Sequence, residues 1–384
     1  MRHVLNLGIF LSVCWSQWRI AVRLWDRPLF ARKPALRLLL LAWAVWLIAG
    51  VAAGIAHSQL ELPDWVRAYV VGGAYAAALG SIGAISAYEL WHRATSRVSV
   101  HSPVRRALLQ SGTAAVVGAP FVLTGFGAFV ERTNFRVREI DIPIPNLDPD
   151  LSGIRLLQLS DIHLSPFLSE SEFARVIDAS NELRPSAALI TGDLISVAGD
   201  PLDACLRQLN RLKTTAGIFG CMGNHERYSE VEDYTEKAGA RLGIQFLRGS
   251  RTTLEFGGAA INLAGVDYQS VQNKPLYLRG AEKLLRPGMP NILLSHNPDV
   301  FPVAVRQGFD LTLGGHTHGG QVTVEILAQT LNIARFATPF VSGYYRLSGK
   351  SLYVTRGIGT IGLPARIGAP PEITLIRLVN GTHT

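Results

Sequence analysis

"IRLLQLSDIH", residues 154–163, is an apolar run of strand length that stops at an aspartate and a histidine one residue apart. The same device recurs down the chain. The β-type run Ala187–Thr191 ends in Gly192-Asp193, and Gly217–Met222 ends in Gly223-Asn224-His225-Glu226. Asn291–Ser295 is followed by His296, and Leu311–Leu313 by Gly314-Gly315-His316-Thr317-His318. A further run, Ile261–Val266, lies between them. Helical patterns separate several of these runs. Ser169–Arg184 opens with Ser-x-x-Glu, a capping box, and carries Phe173, Val176, Ile177 and Leu183 on one face. Pro201–Lys213 and Glu230–Leu242 are further amphipathic segments. Strands alternating with helices predict an α/β domain, in which ligands collect beyond the carboxyl ends of the strands.

Those ends are where the chemistry-bearing residues fall. Every histidine between Val130 and His383 (His163, His225, His296, His316, His318) sits at one of them. Taken singly, each feature has an ordinary explanation. Asp161 could cap a helix, Asn224 could make a turn, His296 could be a satisfied core histidine, and "LGGHTHGGQ" (313–321) could be a surface loop. Five strand ends in register share no such explanation. Together they offer two carboxylates, one amide and five imidazoles, a donor set suited to Mn, Fe(II) or Zn and poor for Cu(I) or an iron–sulfur cluster. The set is too large for one tetrahedral ion, so two divalent ions sharing a ligand are expected. Such pairs, ~3.5–4 Å apart, carry out in-line displacement at phosphorus: one ion makes hydroxide available near neutral pH and both neutralise phosphoryl charge.

Asp-x-His (161, 163), Gly-Asp (192, 193), Gly-Asn-His-Glu (223–226), a lone His296 and Gly-His-x-His (315–318), in this order, resemble the calcineurin-like metallophosphoesterase superfamily. The resemblance covers roughly residues 135–380. It is nearest to the membrane-anchored branch through "SDIHLSP", "TGDLI", "GHTHGGQ", "YVTRGIGT" and "PPEITL". It implies an α/β fold of the metallophosphoesterase type, a two-sheet sandwich flanked by helices with metals at the strand ends. By the resemblance, Asp161, His163 and His318 hold one ion, Asp193 bridges, and Asn224, His296 and His316 hold the other. His225 corresponds to the histidine that contacts phosphate or protonates the leaving group. Two positions depart from the pattern. Many relatives carry an aspartate three residues after the bridging one, where it orients that histidine; here the residue is Ser196. Glu226 stands where Asp is common. Arg356, in "TRGIG", is open between a phosphate contact and a structural salt bridge. Arg227 reads as a surface charge beside the site, and Tyr344 and Tyr345 as core packing rather than a stacking platform.

The hydrophobic fraction of 48% with positive mean hydropathy calls for membrane segments. Three stretches, 36–56, 68–88 and 107–130, each exceed the ~20 residues needed to cross ~30 Å of hydrocarbon as helix, and a fourth element is possible at 4–25. The expected organisation is an α-helical membrane region over 1–130 and a phosphoesterase domain over 131–384. The net charge of +8 could point to nucleic acid, but the placement of the arginines argues otherwise. Arg27, Arg32, Lys33 and Arg37 stand at the head of the first stretch, and Arg93, Arg97, Arg105 and Arg106 precede the third. The loop 57–67 instead carries Glu61 and Asp64. This positive-inside pattern places everything after Val130 on the extracytoplasmic side of a bacterial-type inner membrane. A period-two strand begins near Phe135, so the tether from the last membrane helix is short. The three cysteines give no disulfide framework.

The expected activity is hydrolysis of a phosphodiester or pyrophosphate by a membrane-anchored two-metal enzyme. The expected partners are a phosphoester substrate of the envelope, lipid-linked because the site stays near headgroups, and membrane lipid. Two alternatives stand beside it. One is a pyrophosphatase of the kind that cleaves a UDP-diacylglucosamine precursor, which requires a cytoplasm-facing site. The other is a non-catalytic sensor or scaffold, against which the complete ligand set argues.

Overall fold

A computed structural model describes residues 2–56, 62–63, 66–96, 102–326 and 329–381 of the chain. It divides into two compact units, Met1–Glu131 with Gly362–Ala365, and Arg132–Ile361 with Arg366–Thr384.

The first unit is helical: α1 (Arg2–Leu24), α2 (Pro28–Arg32), α3 (Pro34–Ile55), α4 (Gly72–Thr95) and α5 (Pro103–Phe129). Among the described residues two helices are long and apolar enough to cross a membrane, Pro34–Ile55 and the extended Pro103–Thr133. Both keep large apolar side chains on their outer surfaces, among them Leu38, Leu39, Val45, Val122 and Phe126. Water would not tolerate such a continuous exposed face, and lipid would. The expected stretch 68–88 begins in a π-helical turn, Val66–Val71, and continues into α4, which does not pass the same test. The reason is composition. Alanine and glycine replace larger side chains because α4 is closely packed on its neighbours: a Cβ on Gly50 would strike Ala74, and one on Gly80 or Gly83 would strike Phe121 or Pro120. The expected element at 4–25 is a helix, α1, tied to α4 by ion pairs from Arg19 and Arg23 to Glu89. It too falls short of the apolar criterion. Glu61, Asp64 and Arg97, on which the charge reading partly rests, lie outside the described residues.

The second unit is built on two six-stranded sheets. Its strands are β1 (Arg136–Pro145), β2 (Arg155–Leu159), β3 (Ala187–Ile190), β4 (Ile218–Gly220), β5 (Ile244–Phe246), β6 (Ser250–Phe256) and β7 (Ala259–Gly265). They continue with β8 (Asn291–Leu294), β9 (Leu311–Gly314), β10 (Thr323–Ile326), β11 (Gln329–Asn332), β12 (Gly343–Leu347), β13 (Lys350–Val354) and β14 (Glu372–Gly381). The sheet orders are β1-β14-β2-β3-β4-β5 and β12-β13-β9-β8-β7-β6, with β10 and β11 forming a separate ribbon. β2, β3, β4 and β5 are parallel, as are β7, β8, β9 and β13. All their carboxyl ends within a sheet therefore open on one edge.

Side-chain alternation explains the layering. Leu156, Leu189 and Phe219 of the first sheet meet Leu263, Ile292, Leu294, Leu311 and Leu313 of the second in a shared core. The opposite face of the first sheet, through Leu157, Leu159 and Ile190, buries the apolar sides of α6 (Glu170–Glu182), α7 (Leu202–Leu209) and α9 (Glu232–Arg241). A short helix, α8 (Asn224–Tyr228), precedes α9. The outer face of the second sheet packs Ala264 and Leu293 against Val300 and Ala304 at α10 (Phe301–Gln307). The result is helix, sheet, sheet, helix. The capping box read at the start of α6 is present, with Ser169 Oγ accepting from Glu172 N and the Glu172 carboxylate accepting from Ser169 N. All three cysteines are free thiols.

Candidate metal centre

The eight expected residues converge where the carboxyl edges of the two sheets meet. Asp161 and His163 follow β2, Asp193 follows β3, and Asn224 and His225 follow β4; the second sheet supplies His296 after β8 and His316 and His318 after β9. Asp161, His163, Asp193, Asn224, His296 and His318 are buried, while His225 and His316 are partly exposed. Five of them hold left-handed backbone: Asp161 (φ 50°), His163 (47°), Asp193 (56°), His316 (72°) and His318 (52°). That conformation costs an L-residue roughly 1–2 kcal/mol. It persists only where surrounding bonds over-determine it, which is typical of ligand clamps. Here the loops lace together: Asp161 N donates to Gly192 O (3.0 Å), His163 N to Asp193 O (3.1 Å), and His316 N to Asp161 Oδ1 (3.0 Å).

The donor atoms form overlapping triads, Asp161–His163–His318, His163–Asp193–His225 and Asp193–His296–His316, each drawn within 4.8 Å. Asp193 Oδ2 lies 3.6 Å from His163 Nε2 and 3.1 Å from His296 Nε2, so one carboxylate oxygen addresses both halves of the cluster. The backbone sets the tautomers. His163 Nδ1 faces Ile195 O at 3.0 Å and His296 Nδ1 faces Thr191 O at 2.7 Å, so both Nδ1 atoms carry a proton and both Nε2 atoms face into the cluster. Those Nε2 atoms stand against other ring nitrogens and an amide oxygen. His163 Nε2 is 3.2 Å from His318 Nε2, while His296 Nε2 is 3.1 Å from Asn224 Oδ1 and 3.2 Å from His316 Nδ1. Each such contact needs a proton on one of its two atoms or a cation held by both. The clustered histidines and carboxylates fit a divalent metal site, and the carbonyls behind His163 and His296 are the orienting partners that metal-binding imidazoles use.

Protonation follows the same logic. Burial, then His225, lowers His163 to about 3, and burial, then His296, lowers His316 to about 3, leaving neutral imidazoles. Burial also works against a charged His296, but Asp193 and Asp161 outweigh it and raise this histidine. For Asp193, burial pushes upward and is outweighed by His296, His225 and His163, so the carboxylate stays ionised. A proton on His296 is the substitute that satisfies the cluster when no metal does.

Several residues support the centre in ways the sequence did not assign. Glu226 is fully buried and accepts from three backbone N–H groups: Asp193 (2.9 Å), Leu194 (2.7 Å) and Gly223 (2.8 Å). It thereby holds the loop that carries Asp193, although burial and the Asp193 charge raise its own pKa. Gly223 must be glycine, because a Cβ would collide with Asp193 Oδ1. Tyr268, just beyond β7, is buried with its ring 5.6 Å from that of His316 and 6.0 Å from that of His296. The signal that would find it is the apolar run Ile261–Val266, which stops two residues before it. Arg366, also fully buried, donates to the carbonyls of Gly359, Ala369 and His318, bracing the loop that carries His318. Nothing in its local sequence marks that role.

The Calcineurin-like phosphoesterase family matches residues 154–320. A Bos taurus protein named "Transmembrane protein with metallophosphoesterase domain" is 30% identical over 335 residues, covering 81% of this chain and 73% of its own. This chain is a calcineurin-like metallophosphoesterase. Its Danio rerio relative of the same name is 36% identical over 256 residues, which are 63% of this chain and 57% of that one. An uncharacterized metallophosphoesterase of Campylobacter jejuni is 31% identical over 246 residues, 63% of each chain. The chain thus spans 57% and 63% of the length of these last two relatives.

As a metallophosphoesterase it orients His225 in its own way. Where Ser196 replaces the aspartate of many relatives, the main chain takes over: His225 Nδ1 faces Ser196 O at 2.5 Å. The Ser196 hydroxyl turns instead toward His163 Nδ1, at 3.2 Å. Arg227 is exposed and reaches Tyr268 O at 3.4 Å. Tyr345 packs on Phe340 and the Phe301 cluster, as read, while Tyr344 is partly exposed and bonds Ser351 Oγ at 3.0 Å.

Proposed function

We propose that this metallophosphoesterase hydrolyses a phosphodiester or pyrophosphate at a two-ion centre, on a lipid-linked or envelope substrate, from the extracytoplasmic side of the membrane. The observation that carries the reading is the sharing of Asp193 between two histidine clusters. The two apolar helices, the transmembrane naming of the cattle and fish relatives and the arginine placement support the membrane part.

Asp161, His163 and His318 would hold one ion, Asn224, His296 and His316 the other, and Asp193 both. When bound, such a pair screens phosphoryl charge and lowers the pKa of water. The chain does the rest. Glu226 and the laced loops keep Asp193 still, so little reorganisation accompanies the reaction. Ser196 O fixes the His225 ring with Nδ1 protonated, leaving Nε2 for the phosphoryl group. In the imidazolium form Nε2 carries a proton as well, and this passes to the departing oxygen in the general-acid role, leaving a neutral ring with Nδ1–H still bonded to Ser196 O.

The test is release of p-nitrophenolate from bis-p-nitrophenyl phosphate by the purified full chain with Mn²⁺. Metal-dependent release that Asp193→Ala abolishes is expected; equal release by the variant would remove the hydrolase reading. A reporter active only in the periplasm, fused after Thr384, tests the orientation. Activity confined to cytoplasmic reporters would favour the cytoplasm-facing pyrophosphatase.

A further inference from the structure

Arg356 is the one residue of the "TRGIG" motif whose chemistry the two-ion centre leaves unused. Its stem packs on one loop of that centre, and the residue after it packs on another. Gly319, the residue after His318, lies so close that a Cβ there would come within 2.8 Å of Arg356 Cγ. Gly357, the residue after Arg356, lies against Asp161, where a Cβ would meet the aspartate Cβ at 2.6 Å. Both glycines have left-handed backbone, φ 62° and 71°, so close approach and conformation each require glycine. Arg356 is therefore fixed between two of the residues that would hold the first ion.

Its charged end has little to do there. The ionic neighbour is Glu372, whose Oε2 lies 3.9 Å from Arg356 Nε, beyond hydrogen-bond range. The other oxygen of that carboxylate already accepts from Tyr353 OH (2.6 Å) and Thr374 Oγ1 (2.8 Å). Among the described residues no acceptor is bonded to either terminal nitrogen of Arg356, and the side chain is 30% exposed. A guanidinium stays charged at every physiological pH and offers a rigid fork matched to phosphate oxygens. A structural salt bridge would close that 3.9 Å gap; a substrate-binding arginine would keep its donors free.

We propose that Arg356 binds a second phosphoryl group of the substrate, the one across the anhydride bridge from the reacting phosphorus, and so selects pyrophosphate diesters over simple phosphodiesters. This rests on the phosphoesterase reading above and narrows its substrate class. Arg356 is a specificity residue in this account, because the reacting phosphoryl group is met by the ion ligands and His225.

The test uses the full chain in detergent, loaded with Mn²⁺, and calorimetric titration with two probes sharing one nucleoside: UDP-glucose, with two phosphoryl groups, and the methyl ester of UMP, with one. The wild type is expected to bind UDP-glucose about tenfold or more tightly than the methyl ester, in line with hydrogen bonds to charged groups. Arg356→Gln should abolish that preference, and Arg356→Lys should restore part of it. No preference in the wild type, or an undiminished preference in Arg356→Gln, overturns the proposal. A thermal midpoint lowered as far by Arg356→Gln as by Glu372→Gln, with both probes weakened equally, also overturns it in favour of a structural role. Failure of the wild type to cleave bis-p-nitrophenyl phosphate contradicts the underlying phosphoesterase reading instead, and the titration still decides Arg356.

Discussion

His225 Nδ1 sits 2.5 Å from the backbone carbonyl of Ser196, and that carbonyl is itself held by Asp200, whose Oδ2 accepts from Ser196 N (2.9 Å) and Val197 N (3.0 Å). A main-chain oxygen thus orients the ring in place of a carboxylate. Since the serine side chain is not the orienting group, Ser196→Ala should change kcat on a diester less than about threefold, whereas losing the loop anchor should matter more. Asp200→Ala is expected to lower kcat about 10–100-fold, the usual range for a second-sphere partner. Asp200→Asn, which keeps an acceptor, should recover part of the loss. Steady-state kinetics with metal content measured in parallel checks this; a Ser196→Ala loss as large as that of Asp200→Ala contradicts it.

Glu226 satisfies three N–H groups around Asp193 with two oxygens. Glu226→Gln turns one acceptor into a donor facing other donors. The expected cost is about 1–3 kcal/mol of stability, read from denaturant unfolding, together with weaker metal retention. Unchanged stability and metal content would show that the loop is held by something else.

Gly223 packs where no side chain fits, against Asp193 Oδ1. Gly223→Ala should displace the carboxylate and lower metal affinity, while far-ultraviolet circular dichroism stays that of a folded α/β domain. A variant that binds metal as tightly as the wild type would place Asp193 outside the centre.

Metal and proton compete for His296. Asp193 and Asp161 raise its pKa against the burial that opposes charge, so near neutral pH the metal-free cluster holds a proton that an incoming ion must displace. Metal addition to stripped protein should therefore release protons, and metal should be lost as pH falls. Proton release measured in a weakly buffered titration tests the sign; uptake, or no change, contradicts it.

The strands that carry the site were legible because a buried strand writes itself as an apolar run and a ligand-bearing end interrupts it. The runs at 154–159, 187–191, 217–222, 291–295 and 311–313 correspond to β2, β3, β4, β8 and β9 with ends shifted by at most a residue or two. The remaining strands were harder. β12 is an edge strand of mixed composition, β13 and β14 lie inside their sheets with polar residues among the apolar ones, and the β10–β11 ribbon is an excursion no periodicity announces. Long-range roles left no trace in the local sequence. Ser196 acts through its carbonyl, which every residue has, and Arg366 through three carbonyls distant from it in the chain or around a turn. In the helical unit, the stretch 68–88 was long and uncharged, but its glycines and alanines serve helix packing and leave it less apolar than α3 or α5.

The central claim is that Asp193 joins two ion sites in one chain. Elemental analysis of metal-stripped protein after equilibrium reloading and removal of free ions tests it most directly. The wild type should retain two divalent ions per chain, His316→Ala and His318→Ala about one each, and Asp193→Ala less than either. One ion or none in the wild type, or full retention by Asp193→Ala, would contradict the account.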